Sequence, residues 1–224
     1  YSIDAEKAPA EQAWRVARQM VDQMLAQHRA AHEGQWPSKV AFTLWAGDFI
    51  HTEGTSVAQI LYLLGVEPVR DAFGRVSSLR LIDREVLGRP RIDVVVQTSG
   101  QLRDLAASRL YLINQAVAMA AQAREADNAV AQGVQAVERT LKERGAAPAQ
   151  ARKLAHVRVF GGVNGGYGSG IMDMVEAGDR WQDRSEVAQT YIANMGASYG
   201  EGEIWGDFQA GAFEAALAGT QLVV

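Results

Sequence analysis

The chain has 224 residues, with 22 Lys+Arg against 26 Asp+Glu for a formal net charge of −4, and is 48% hydrophobic and 21% charged. That balance supports a packed core in one large domain or two small ones and excludes disordered and collagen-like classes. Without a Lys/Arg cluster the electrostatic footprint of a nucleic-acid binder is missing, and with no cysteine disulfides, thiolate metal sites and a cysteine nucleophile are excluded. Any metal held here would need His or carboxylate ligands. No apolar run approaches the roughly 20 residues of a membrane span. The opening Tyr1-Ser2-Ile3-Asp4 is neither an initiator Met nor a secretory signal, so the expectation is a cut inside a longer polypeptide. The lack of cysteine fits a reducing compartment, and the expected location is the cytoplasm.

Pro9 stands at the first turn of a predicted helix that runs to about Ala31, with Ala13, Val16, Ala17, Met20, Val21, Met24 and Leu25 at the spacing of one face. Gly34 and Pro37 end it, and Val40 to Trp45 reads as a short buried parallel strand. A polar turn is predicted from Asp48 to Gly54, then a helix marked by Val57, Ile60, Leu61 and Leu64 and closed by Gly65. Phe73-Gly74-Arg75 predicts a tight turn before a strand at Val76 to Ile82. Ile92 to Gln97, β-branched and bounded by Pro90 and Ser99-Gly100, predicts a central strand. Helices follow at Leu102 to Arg124, Val130 to Arg144 and Pro148 to about Ala155. Val157 to Phe160 is the last predicted strand, and two or three further helices complete the chain. Alternating strands and helices imply right-handed crossovers. The predicted class is therefore α/β, a mostly parallel sheet with helices on both faces and extra helices at the C-terminal end. The expectation is one segment over 1–224, with a candidate sub-boundary near residue 156.

Ligands of open α/β sheets bind beyond the carboxyl ends of the strands, so three strand-to-loop junctions matter. The first carries Trp45, Asp48, His51 and Glu53. An imidazole and a carboxylate two residues apart can move protons or hold a metal with outside help; equally, Thr52 or Thr55 can cap a helix whose positive end Glu53 favours. His28 and His32, four apart on the first helix, have zinc-like spacing without an intervening carboxylate, which fits a solvated face. The second junction is Ser99-Gly100-Gln101-Leu102-Arg103-Asp104. There Arg103 either binds an anion of the ligand or simply pairs with Asp104, and Arg109 is a further candidate. The third junction, Gly161 to Gly170, has six glycines in ten residues, with Asn164 and Tyr167 among them. Such a loop permits positive φ and close approach of backbone N–H groups to a ligand, or serves as a surface loop. It lacks the Gly-Lys-Ser/Thr of a phosphate-binding loop and the spacing of a dinucleotide fingerprint. Trp181, Trp205, Met172 and Met174 read as core or lid packing.

Residues Leu44-Trp45, Thr52-Glu53-Gly54, Ala58 to Val69, Leu87 to Val96, Ser99-Gly100 and Arg103-Asp104 resemble, in order, the large subunit of cobaltochelatase and its relative, the magnesium chelatase large subunit. Arg158 to Gly161, Gly165 to Gly170, Trp181 and Tyr191 continue the resemblance over nearly the whole chain. It implies a parent protein that binds a tetrapyrrole ring and inserts a divalent metal, Co2+ in the cobalamin branch, as a metal–nitrogen bond-forming ligase. The metal and the ring are substrates, ATP is used by separate AAA+ subunits, and no cofactor is expected on this chain. The family's Gly-Thr-His-Gly motif, which lies upstream in its members, is absent here, implying a C-terminal portion inactive alone. Two further departures are the Gly161-Gly162-Val163-Asn164-Gly165 wording of the third loop and His51 in place of a basic residue.

On this reading Glu53 and His51 are the candidate catalytic pair. The candidate ring-binding residues are Trp45, Ser99, Arg103, Asp104, Asn164, Gly165, Gly166, Tyr167 and Gly168, and the metal ligands are unassigned. The alternatives are a homologue that removes iron from haem and a non-catalytic module docking the AAA+ subunits or the rest of the large subunit.

Overall fold

A computed structural model describes residues 3–176 and 183–224; Trp181 lies outside them. A 3-10 turn at Ala5–Lys7 leads to α1 (Glu11–Ala31), β1 (Lys39–Leu44), α2 (Ala46–His51), α3 (Thr55–Leu63), β2 (Val66–Arg70), β3 (Val76–Leu81), α4 (Arg84–Leu87) and β4 (Asp93–Thr98). Then come α5 (Gly100–Gln122), α6 (Ala129–Glu143), α7 (Pro148–Leu154), β5 (Val159–Gly161), α8 (Ile171–Glu176), α9 (Arg184–Met195), β6 (Ala197–Tyr199), β7 (Trp205–Phe208), α10 (Ala212–Leu217) and β8 (Leu222–Val223).

The main sheet has the order β7-β6-β5-β4-β1-β8. β5, β4, β1 and β8 run parallel, in register through pairs such as Phe42↔Val96 and Val96↔Val159, while β6 and β7 extend the sheet antiparallel. β2 and β3 form a separate antiparallel hairpin around Gly74. Because successive strand side chains point to opposite faces, each strand feeds two cores. Val40, Phe42, Leu44, Val94, Val96 and Val159 join a core with α1, α3 and α5, whereas Val95 and Phe160 join one with α6, α7 and α10. Helices therefore cover both faces, as the alternation predicted. The sheet is continuous across residue 156.

Three sequence expectations need correction. The polar turn from Asp48 is helix α2, whose Phe49 turns into the core. The N-cap position of α3 is Gly54, with φ 84°, and not Thr52 or Thr55; the Thr52 hydroxyl donates to Asp48 O and accepts from Thr55 N, the first residue of α3, at 3.3 Å. The chain end is not only helical, since β6, β7 and β8 lie there. On α1, Ala13, Ala17, Val21 and Leu25 are buried as expected, while Val16 and Met20 are exposed. Leu105, placed on the apolar side of its helix, is exposed too. The backbone leaves helical values at Ala106 (φ −141°, ψ 44°), so residues 100–105 form a separate turn at the head of α5.

Candidate functional site

Since β1, β4 and β5 are adjacent and parallel, their carboxyl ends bring the three junctions to one edge of the sheet. Trp45 directly follows β1 and is 55% exposed. Together with Asp48, Gly54 and Leu102 it lines a crevice of about 10 Å³, too small to hold a ligand. Ser99 follows β4 and caps α5, its hydroxyl accepting from Leu102 N at 3.2 Å.

Arg103 is the centre of the edge. Its side chain is only 4% exposed. Nε donates to Asp104 Oδ1 at 2.9 Å; Nη1 donates to Tyr199 Oη at 3.0 Å, Val163 O at 3.1 Å and Gly162 O at 3.3 Å. Tyr199 Oη in turn donates to Gly162 O. Burial works to lower the Arg103 pKa, but the bonds to Asp104 and Tyr199 outweigh it and leave a net rise. The Arg103 and Tyr167 hydrogen bonds hold the Asp104 carboxyl below its ordinary value, and the bond to Asp104 pushes the Tyr167 phenol up. Tyr167 Oη donates to Asp104 Oδ2 at 2.8 Å, so the adjacent Arg103 and Asp104 tie both ends of the glycine-rich loop to α5.

Glycine is needed at two points of this contact. A Cβ on Gly100 would stand 2.6 Å from Gly166 O and 2.9 Å from the Tyr167 ring, so no larger residue lets the loop lie on α5. Gly165 has φ 82°, the left-handed value that turns the loop back after Asn164. Asn164 lies against Gly206 of β7. Gly165 and Gly168 are exposed and Gly166 partly so, with Gly166 N donating to Val163 O at 2.8 Å.

His51 and Glu53 sit at the end of α2 and in the turn after it, both exposed. Neither side chain has a hydrogen-bond or ion-pair partner among the described residues. Glu53 has φ 52°, and its carbonyl accepts from Ala10 N, which fastens the α2–α3 turn to the segment before α1. No cluster of three or more His, Cys, Asp or Glu among the described residues can hold a metal ion.

Other candidates have structural roles. Arg109 donates to Ala8 O at 2.8 Å and to Glu6 Oε2 at 2.8 Å, anchoring the N-terminal segment. The His28 and His32 rings stack 4.0 Å apart, with His32 Nδ1 against His28 O. Trp205 stacks on Tyr111 at 4.4 Å, while Met172 is exposed instead of packed.

Sequence reasoning missed Tyr199, which sits on a strand in a region expected to be helical. The available signal was Ala197-Ser198-Tyr199, a short run bounded by Gly196 and Gly200. It also missed a cavity of about 1060 Å³ at the opposite end of β5, bordered by Lys153, His156, Val157, Glu201, Glu203 and Asp207. Its walls come from α5, α7 and the β6–β7 turn, so no motif announces it.

A family model described as CobN/Magnesium Chelatase matches residues 1–224. The magnesium-chelatase subunit ChlH, chloroplastic, of Oryza sativa subsp. indica is 33% identical over 199 residues, covering 89% of this chain and 14% of that protein. The aerobic cobaltochelatase subunit CobN of Pseudomonas aeruginosa is 34% identical over 203 residues, 89% of this chain and 16% of that protein. The solved catalytic subunit of cobaltochelatase from Mycobacterium tuberculosis superposes with a TM-score of 0.90 at 32% identity, covering all of this chain and 18% of that one. The chain thus spans less than a fifth of the relatives it matches.

Proposed function

The chain belongs to the CobN/magnesium chelatase family, and from that premise we propose that it supplies one wall of the tetrapyrrole cleft of a metal chelatase large subunit, with Co2+ the metal inserted. The observation that carries this reading is the joining of the three junctions at one sheet edge, with Arg103 buried at their centre and a glycine-rich loop laid over it. In this reading Arg103 and the amides from Gly165 to Gly170, apart from Gly166 N, which donates to Val163 O, meet the acidic or amide side arms of a ring. Trp45 offers an exposed indole face at the same edge.

Inserting a divalent metal removes two pyrrole N–H protons and part of the ion's hydration shell. His51 and Glu53, exposed and unpaired, are the proton acceptors of this proposal, since an imidazole and a carboxylate both exchange protons readily with bulk water. ATP hydrolysis is assigned to separate AAA+ subunits, and the remainder of the large subunit completes the site in the cytoplasm. Glu53→Gln in the full-length subunit is expected to leave folding intact and to lower the chelation rate by about tenfold or more. An unchanged rate in a stopped absorbance assay removes Glu53 from the chemistry.

The direct test of ring binding is an absorbance titration of the purified chain with a metal-free corrinoid precursor and, in parallel, with haem. A saturable band shift supports the cleft, and the preferred ring separates insertion from removal of iron. Silence with both rings favours a second reading, a module that docks the AAA+ subunits or the remainder of the large subunit. The large cavity at the far end of β5 supports that second reading, because its mixed charges suit a protein segment better than a ring.

A further inference from the structure

Arg103 carries five N–H donors in a planar fork. Nε faces Asp104, Nη1 is shared among three oxygens, and Nη2 has no hydrogen-bond partner among the described residues. Nη2 stands 3.4 Å from the point where a Cβ on Gly100 would be, and the Gly166 carbonyl and the Tyr167 ring, 2.6 and 2.9 Å from the same point, fill it and cover that side of the guanidinium. Nη2 keeps contact with water, so its donors are open to an acceptor that approaches from solvent. The acceptor at hand is turned away: Asp104 meets Arg103 through Oδ1 alone, and its Oδ2 takes the Tyr167 hydroxyl. The bidentate pairing that an Arg and a carboxylate favour is therefore withheld at this site.

We propose that Asp104 and Tyr167 are an internal competitor and gate for a ligand carboxylate. Their bond holds the glycine-rich loop over Arg103; a carboxylate side arm of the ring moves Tyr167 and Gly166 aside and takes the Nη2 donors. Arg103 is then the residue that recognises the side arm, and Tyr167 sets how strongly it must bind to enter. This rests on the reading of the edge as a tetrapyrrole cleft. It adds a preference for acid over ester side arms and a cost of opening.

The test combines amide hydrogen exchange across residues 162–170 with absorbance titrations of a metal-free porphyrin octacarboxylate and its octamethyl ester, on the whole chain. Succinate serves as a ring-free carboxylate probe. Tyr167 is 63% exposed, so Tyr167→Phe should fold normally. It is expected to speed exchange in the loop, but it also frees Asp104 Oδ2 to pair with Arg103. Affinity is therefore read in Tyr167→Phe/Asp104→Asn, which removes latch and competitor together and should tighten octacarboxylate binding roughly three- to tenfold, the worth of one hydrogen bond, with the ester unaffected. Succinate should speed loop exchange in the wild type and not in Arg103→Lys, which keeps the charge but loses the fork. Wild-type exchange in Tyr167→Phe, wild-type affinity in the double variant, or equal binding of acid and ester would overturn the proposal. If the porphyrin acid does not bind while succinate still opens the loop through Arg103, the carboxylate subsite stands and the tetrapyrrole reading falls.

Discussion

Asp93 is a single carboxylate that ties β4 to β1 and to the residue leading into β5. From the first position of β4 it receives Arg158 Nε at 3.0 Å and Nη2 at 3.2 Å, and Lys39 Nζ lies 3.5 Å away at the start of β1. Lys39 also donates to Ala216 O at 2.8 Å and Ala218 O at 2.9 Å, closing the carboxyl end of α10. Burial lowers the Lys39 pKa despite the neighbouring Asp93. All three side chains are buried, so removing the one anion strands two cations. Asp93→Asn is expected to cost about 3–5 kcal/mol, read as a fall in the urea midpoint at unchanged slope. His28 makes a different statement. Its ring is buried with Nδ1 unpaired, and burial, then the stacked His32, hold it below its ordinary value of 6.5. A histidine with a depressed folded pKa takes up its proton more readily when unfolded. Its contribution is therefore full above 6.5 and declines as pH falls from there toward the folded value. Between about pH 7.5 and 5.5 the wild type should lose more thermal stability than His28→Gln; equal losses would locate the pH dependence elsewhere.

At the scale of elements, α6 shows why propensity alone misleads. Gly133 lies mid-helix, where glycine costs roughly 1 kcal/mol relative to alanine. A Cβ there would run into Asp93 Oδ2, so the glycine lets α6 lie directly on the buried ion pair. Gly133→Ala, stabilising by propensity, should instead destabilise by about 1–3 kcal/mol, measured by thermal unfolding; a raised midpoint would show that α6 can move off the sheet. The same helix begins at Asn128, which serves two elements at once. Its Oδ1 accepts from Val130 N at 3.0 Å and Ala131 N at 3.1 Å, while Nδ2 donates to Ala120 O at 2.7 Å and Ala123 O at 3.0 Å at the end of α5. Long periodic elements such as α1, α5 and α6 were legible because their apolar spacing is a local property. The head of α2 was not, because Ala46-Gly47-Asp48 reads as a turn until Phe49 is seen to enter the core. β6 and β8, of three and two residues, are defined by the strands they pair with.

For the whole molecule, the two ends of the central strands have different characters. One end carries the loops around Arg103; the other carries the buried Asp93 cluster, with the large cavity beyond β5. If the cavity seats another protein segment, Lys153→Glu and Glu203→Lys should weaken capture of the proposed partners, AAA+ subunits or another part of a large subunit, by about tenfold. The ring-band shift should stay as in the wild type. Equal loss of both readouts would mean that the two ends are not separable.

The sequence by itself determined the α/β class, the three parallel strands that matter, the loops at their carboxyl ends and the family resemblance. Each is written in local periodicity, turn residues and ordered motifs. It also placed Ser99, Arg103 and Asp104 at the start of the helix after the second of those three strands and Tyr167 on the glycine-rich loop. Only the tertiary structure decided that Tyr199 bonds Arg103, that Tyr167 reaches Asp104, and that Arg109 is an anchor for the N-terminal segment. The same holds for Asp93 and Arg158, 65 residues apart. A hydrogen bond or ion pair between distant residues depends on how strands order in a sheet and which helix face turns inward, and neither leaves a mark in the spacing of the residues that make it.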